Sequence, residues 1–377
     1  MFALAWKFIR FDKAKSVGII TAIVISIFLI GQQVGLLLFL MGLMGNLVGN
    51  ANVKDNQIWV IESQTQNANT LTKIDLRYLQ QLQSINGVEQ AFPVVIGNAE
   101  AKFLDGNTAA VQIIGSDAPD FVIGPNQTRI FQGNLSDLSL PEAVSVEFFN
   151  AKSWNTDLYL NKQIELNSKS AQVKLITKNA QAFGGNYVYT NLFNARFYGN
   201  VDPSKVSLIV LNLDKNSNKQ NVINLINSQY PNLRAWDTKA LQNSTVKEIL
   251  ISSNMGMSFG TLVVFAMISG FFIIGLTLYS SALDRVKDYG TLKAIGANKT
   301  YVNKLLITQA LLYALIGFSV AFLLLIGFSQ GVKKSGLEIN FSLGFVSFLL
   351  GITLFISIGG SLFAVRKISK LEPASVF

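Results

Sequence analysis

Four long stretches of the chain carry no Asp, Glu, Lys or Arg: residues 16–53, 249–283, 305–332 and 339–365. A helix needs about 20 apolar residues to cross the hydrocarbon core of a membrane, and each stretch is long enough. The sequence therefore predicts four membrane-spanning helices. The apolar core of a cleaved signal peptide has only about 7–15 residues, so the longer first run predicts an uncleaved anchor.

The remaining composition excludes several classes of function. The 377 residues include no His and no Cys. Disulfides, zinc sites of the usual kind and Ser-His-Asp catalysis are therefore excluded. A pair of carboxylates is the common catalytic device that remains, and no such pair stands out. We expect that the chain is not an enzyme and that it holds no metal.

The placement of charge predicts how the chain is oriented. Residues 1–15, 284–304 and 366–377 together carry 12 basic and 4 acidic residues, whereas residues 45–248 carry 17 of each sign. Basic residues near spans favour the cytoplasmic side. We therefore expect both termini and the 284–304 loop in the cytoplasm of a bacterium, with a multi-pass chain in its inner (plasma) membrane and a large periplasmic insert. The same bias accounts for the net charge of +9, so no nucleic-acid partner is expected.

These patterns divide the chain into segments. The predicted segments are an interfacial helix at 1–15, a first span with a stalk at 16–48, a periplasmic domain at 49–246, a second span with a stalk at 247–281, an amphipathic cytoplasmic helix at 282–298, a third span at 302–328, a short periplasmic loop at 329–341, a fourth span at 342–365 and a cytoplasmic tail at 366–377. For residues 1–15, a simple continuation of the first span is the alternative.

The insert reads as a mixture of strands and helices. Strand, helix and strand patterns follow one another at Gln57–Glu62, Ile74–Ile85 and Val88–Ile96, and again at Val206–Leu213, Lys219–Ile226 and Leu233–Trp236. We expect these two β-α-β units, 55–98 and 203–240, to pack together near the membrane and 99–202 to form a β-rich distal subdomain. The predicted fold class is an α-helical membrane protein with four transmembrane helices and an α+β extracytoplasmic domain of two subdomains, inserted between helices 1 and 2.

The loop between the second and third spans carries the sharpest motif. Residues 284–297 read DRVKDYGTLKAIGA. Their spacing predicts a short amphipathic helix with Gly296 as its C-cap. On composition alone, a solvated connector explains the segment equally well.

This block resembles the signature of the MacB/FtsX/LolC-like ABC permeases (type VII), in which G-x-L-(K/R)-A-(I/L)-G-A precedes a long span. One span, a large external domain, three further spans and the tail from Arg366 to Ala374 also resemble that family. The variants TLKAIG and EPASVF look most similar to the DevC-type branch.

The resemblance implies a mechanical role. Two permeases would form a dimer on two copies of an ABC ATPase, and the 282–298 segment would act as the coupling helix that docks on it. The chain has no G-x-x-x-x-G-K-[ST] motif, so ATP and Mg would be bound by the separate ATPase and this chain would hold no cofactor. The implied ATPase-coupling residues are Asp284, Arg285, Asp288, Tyr289, Gly290, Lys293, Ala294 and Gly296.

The spans add a weaker pattern of small residues. Gly31, Gly35, Gly256 and Gly260 form two small-xxx-small patterns, and Gln33 lies within the first of them. Such patterns let helices approach closely, so these residues are predicted to pack a transmembrane dimer. The alternative is that glycine is simply frequent in membrane helices.

The function implied by the resemblance is that of a permease subunit in an ABC exporter. It would form a homodimer and drive an amphiphile, glycolipid or peptide through a periplasmic membrane-fusion adaptor and an outer-membrane channel. Two alternatives stay open: an FtsX-like signalling permease that activates a cell-wall hydrolase, and a lipoprotein-releasing permease.

Overall fold

The computed structural model describes residues 1–11, 13–285, 287–288, 291 and 295–368. The chain divides into two compact units, one formed by Met1–Phe39 with Met255–Phe377 and the other by Leu40–Asn254. The helices within the described residues are α1 Phe2–Phe11, α2 Lys13–Met44, α3 Asn46–Gly49, α4 Tyr78–Gln83, α5 Asn150–Ser153, α6 Leu192–Gly199, α7 Lys219–Gln229, α8 Thr238–Ser252, α9 Met255–Asp284, α10 Lys299–Lys333 and α11 Leu343–Ile368.

All the described strands lie in the second unit. They are β1 Gln57–Glu62, β2 Ile74–Asp75, β3 Val88–Lys102, β4 Thr108–Gly115, β5 Ile130–Gln132, β6 Ala143–Glu147, β7 Gln163–Leu166, β8 Lys169–Thr177, β9 Tyr187–Thr190, β10 Lys205–Val206, β11 Leu208–Leu213 and β12 Leu233–Asp237.

The first unit is a helix bundle. Four of its described helices, α2, α9, α10 and α11, are long and apolar enough to cross a membrane. Along α2 the fully buried residues recur every three or four positions, which places them on one face of the helix; they are Ile19, Ile23, Ile27 and Ile30. They belong to the same apolar cluster as buried residues of α10 and α11.

The second unit begins and ends in one antiparallel sheet. The strand order is β12-β1-β11-β3. Helix α4 connects β1 to β3, and α7 connects β11 to β12. Each β-α-β unit therefore places a strand of the other unit between its own two strands, which is the split arrangement of ferredoxin-like folds.

Both faces of this sheet are covered. Ile58 and Val60 of β1 pack in the cluster that holds residues of α4 and α7, while Trp59 and Ile61 pack in the cluster that holds residues of α3 and α8. A strand buried on both sides has no polar face, which explains the nearly continuous apolar sequence of QIWVIE.

Strand β3 leads into a second set of strands. Its first half pairs with β11, and its second half, from Val95 to Lys102, pairs with β4. Beyond that point β4 pairs with β9, while β7, β8, β6 and β5 complete the sheet. The predicted fold class, four apolar helices with an α+β domain between the first and second, is confirmed.

Two segments differ from the expected pattern. The helix expected over Ile74–Ile85 is limited to α4, because Ile74 and Asp75 form β2 against Val206 and Lys205. The Asp75 carboxylate then accepts hydrogen bonds from the main-chain and side-chain nitrogens of Arg77, which closes a turn before the helix. The predicted range 247–281 contains a break between α8 and α9, where Asn254 adopts φ 54°, and its division into a span and a stalk stays a prediction.

Candidate coupling site at one end of the helix bundle

The end of α9 contacts the N-terminal helix of the same chain. Arg285 directly follows α9, and its Nη2 donates a hydrogen bond of 3.0 Å to the carbonyl oxygen of Phe8. The guanidinium carbon lies 4.8 Å from the ring centroid of Phe8 and 5.7 Å from that of Phe11. A cation over an aromatic face is attracted by the ring, so one side chain makes a hydrogen bond and two ring contacts.

The preceding residue reaches a different helix. Asp284 forms an ion pair with Lys15, near the start of α2. The two side chains are 53% and 36% exposed, so water screens this pair and its contribution is at most about 1 kcal/mol. Neighbouring residues at the end of α9 thus contact α1 and α2 separately.

A buried hydroxyl pair fixes the bend between α1 and α2. Ser16 Oγ donates a bond of 2.8 Å to the carbonyl oxygen of Ile9, and it lies 2.8 Å from the Tyr313 hydroxyl of α10. Because Ser16 has a single hydroxyl proton, Tyr313 is the donor of the second bond. Residues seven apart in a straight helix are separated by about 10 Å along its axis, so the chain bends sharply between Ile9 and Ser16.

The other predicted coupling residues are only partly described. Asp288 is exposed. Gly296 has φ +104°, which favours glycine, and it follows a helical hydrogen bond from Ile295 N to Thr291 O. Tyr289, Gly290, Lys293 and Ala294 lie outside the described residues.

Ile295 was not singled out from the sequence, although its side chain is 80% exposed. Among the described residues this long apolar side chain is left largely uncovered, so it forms an apolar contact surface at the end of the motif. No periodic pattern marks it, because Ile295 lies in the turn that follows the helix.

The glycines predicted to pack a dimer have different surroundings within the protomer. A Cβ on Gly31 would lie 2.5 Å from Leu325 Cδ1, and one on Gly35 would lie 3.0 Å from Ile339 Cγ2. Gly260 has no such neighbour within 4 Å. Gly31 and Gly35 therefore pack closely inside one chain, and the role of all five residues in a dimer stays a prediction.

The second unit contains two adjoining cavities of about 640 and 610 Å³. Three amide side chains line both of them: Asn69, Asn98 and Gln112. Asn98 and Gln112 face each other across β3 and β4. Because neutral amides both donate and accept hydrogen bonds, this shared lining suits a polar ligand better than an acyl chain.

A lysine lies in the wall of the larger cavity. Lys73 Nζ donates to the Ser207 hydroxyl at 2.7 Å and to the Ile96 carbonyl oxygen. Partial burial lowers the pKa of this lysine below its ordinary value. Sequence inspection selected none of these cavity residues, because they come from separate strands and loops. Among the described residues, no cluster of three or more Asp or Glu side chains could hold a metal ion.

The helices that frame this end of the bundle match a known family. Residues 260–373 match the model of the FtsX-like permease C-terminal domain. The chain carries an FtsX-like permease domain. The resemblance to the MacB/FtsX/LolC-like ABC permeases is thereby confirmed, and that family consists of transporter permeases, which are generally not catalytic.

Three solved structures with similar regions are a periplasmic region, an extracellular domain and a domain of a permease. The periplasmic region of MacB from Actinobacillus actinomycetemcomitans is 9% identical, covering 51% of this chain and 94% of that chain at a TM-score of 0.38. The extracellular domain of the noncanonic ABC-type transporter YknZ from Gram-positive bacteria is 11% identical, with coverages of 48% and 100% and a TM-score of 0.36. A domain of a permease protein from Porphyromonas gingivalis is 12% identical, with coverages of 48% and 88% and a TM-score of 0.33. No curated protein matches the chain.

Proposed function

We propose that this chain is the permease subunit of an ABC exporter that works with a separate ATPase. The observation that carries the proposal is the FtsX-like match over 260–373, because this range includes both the 284–297 motif and the spans on either side of it. On this proposal both termini and the 284–297 segment lie in the cytoplasm of a bacterium, and the Leu40–Asn254 unit lies in the periplasm.

The geometry of α9 suits a mechanical role. Its 30 residues form one helix of about 45 Å. In its most apolar stretch 18% of residues are buried, against 33–39% in the other three apolar helices within the described residues. One face of α9 packs closely on α11, where a Cβ on Gly360 would lie 3.0 Å from Gly275 N, and the rest of its surface is open to a partner or to lipid. Closure of the ATPase pair would push on the 284–297 segment, and α9 would carry the displacement to Met255.

Ile295 is the proposed anchor on the ATPase. An exposed apolar side chain at the end of a docking helix fits a hydrophobic groove on a partner, where such anchors contribute most of the binding energy. The charged Asp288 would contact the rim of the same surface.

The test measures ATP hydrolysis by the ATPase with the full-length permease in lipid nanodiscs. We expect Ile295→Asp to abolish the stimulation of ATPase activity. The matched control is Leu104→Asp, because Leu104 is similarly exposed, at 82%, but lies in the other unit. Normal stimulation by the Ile295→Asp permease, or equal loss in both variants, would contradict the docking assignment.

The exported compound and the partner outside the membrane are the second part of the proposal. A homodimer would pass an amphiphile, glycolipid or peptide to a periplasmic adaptor and an outer-membrane channel. Cross-linking of the intact permease in cells distinguishes the cases. Capture of an adaptor supports export, whereas a cell-wall hydrolase indicates signalling and a lipoprotein carrier indicates lipoprotein release.

A further inference from the structure

Helix α1 ends where two side chains from elsewhere in the bundle meet its last carbonyl groups. The final four carbonyl oxygens of a helix lack partners inside the helix, and they carry its negative partial charge. Arg285 donates to the carbonyl oxygen of Phe8, and Ser16 donates to that of Ile9. A cation is the favoured group at this end of a helix.

One face of α1 packs against the bundle core. Ala5 and Ile9 are 0% and 6% exposed and pack in the bundle core, while Phe11 is 87% exposed. Leu4 and Phe8 are partly buried and pack against the same cluster. The side-chain bonds to the last turn therefore act together with this apolar contact in fixing the position of α1.

We propose that Arg285 is a positioning residue that holds α1 against the end of α9, so that α1 moves together with the coupling segment. Asp284, through Lys15, extends the same connection to α2. Displacement of residues 284–297 then reaches two helices at once instead of α9 alone. On this basis Arg285 acts inside the permease and is not a contact to the ATPase.

The contact itself can be tested without the ATPase, so this test does not depend on the proposed function. The chain has no cysteine, so single cysteines can be introduced at chosen positions with no background labelling. Ala5→Cys reports release of α1, Phe11→Cys reports full exposure, and Ala321→Cys reports the bundle core, because Ala321 is 0% exposed. A water-soluble maleimide is added to the full-length permease in nanodiscs.

We expect Arg285→Gln to raise the labelling rate of Ala5→Cys by about tenfold, toward that of Phe11→Cys, while Ala321→Cys stays protected. Arg285→Lys should restore part of the protection, because lysine can donate to the Phe8 carbonyl group but lacks the planar guanidinium. Lys287→Gln is the matched control, since it removes the same charge at an exposed position two residues away and should leave labelling unchanged.

Two outcomes would overturn the proposal. Labelling of Ala5→Cys that does not change in Arg285→Gln would show that this contact does not hold α1. Equal exposure of Ala5→Cys and Ala321→Cys would show that Arg285 supports the whole bundle instead of α1.

A separate measurement addresses the joint movement, and this arm rests on the proposed function. If α1 is released in Arg285→Gln and stimulation of the ATPase falls while the ATPase still binds, the coupling through α1 is supported. Release of α1 with undiminished stimulation would refute the coupling and leave the docking role of Ile295 intact.

Discussion

A substitution at Gly317 of α10 tests how closely α10 packs against α2. A Cβ at this position would lie 2.5 Å from Ile23 Cγ2 and 2.8 Å from Ile23 Cβ on α2. The Ile23 Cβ is one bond from the backbone and cannot turn aside. Ile23 is also fully buried, so Gly317→Ala forces α2 and α10 apart.

The expected magnitude follows from two opposing contributions. Replacing glycine by alanine inside a helix stabilises it by about 1 kcal/mol through helix propensity. Adding a methyl group to a packed core costs about 1–3 kcal/mol. Gly327 lies in the same helix and has no neighbour within 4 Å, so Gly327→Ala gains the propensity without the clash. Gly317→Ala should therefore be less stable than Gly327→Ala by about 1–3 kcal/mol.

The assay is unfolding of the full chain by SDS in mixed micelles, followed by circular dichroism. The double variant Gly317→Ala with Ile23→Ala removes the Cγ2 and Cδ1 methyl contacts, and we expect it to lose less stability than the sum of the two single variants. Equal stability of Gly317→Ala and Gly327→Ala would show that α2 and α10 do not approach as closely as the described contact.

Three further predictions concern other sites. Glu147 is buried and accepts hydrogen bonds from Thr177 Oγ1 and the main-chain nitrogens of Asn179 and Ala180. Glu147→Ala leaves the two main-chain donors unpaired, while the Thr177 hydroxyl can still donate to the Val146 carbonyl oxygen; it should cost at least about 2 kcal/mol in chemical unfolding, whereas the exposed Glu165→Ala should change stability by less than about 0.5 kcal/mol. Hydrogen bonds from Arg77 lower the pKa of Asp75 to about 2; NMR titration of Arg77→Gln should place it nearer the ordinary 3.8, and any stabilisation from this pair is present above pH 3.8 and lost as the pH falls toward 2. Gly260→Leu should weaken the proposed dimer in a resonance-energy-transfer assay, whereas Gly351→Leu, at an equally open position, should not.

Two strands could be predicted because their sequences are short, nearly continuous apolar runs. Gln57–Glu62 and Val206–Leu213 are nearly continuous apolar runs, and the structure pairs them as β1 and β11. Burial on both faces of a sheet demands such runs. The start of the second strand differs from the prediction: β11 begins at Leu208, because Lys205 and Val206 form the separate strand β10 against β2.

Strand β3 shows why other boundaries could not be predicted. The pattern predicted its end at Ile96, yet the strand continues through Gly97 to Lys102. A Cβ on Gly97 would lie 2.8 Å from Gly199 Cα at the end of α6. Glycine is present there to let α6 approach the strand, a requirement that depends on a residue about 100 positions away.

The coupling site was only half predictable for a related reason. The basic residues before the third span match the pattern of the positive-inside rule, so from the sequence alone their density near Arg285 predicts only the orientation of the chain. The partner of Arg285, however, is a main-chain carbonyl group at the last turn of α1. A main-chain acceptor cannot be recognised from the sequence, because every residue carries the same main-chain carbonyl group whatever its side chain. The contact becomes visible only when the bend between Ile9 and Ser16 brings the end of α1 to the end of α9. A motif that names the charged residues of this loop therefore cannot separate those proposed to face a partner from those that contact the permease itself. Only the structure shows that Ile295 is exposed and that Arg285 is partly buried against α1.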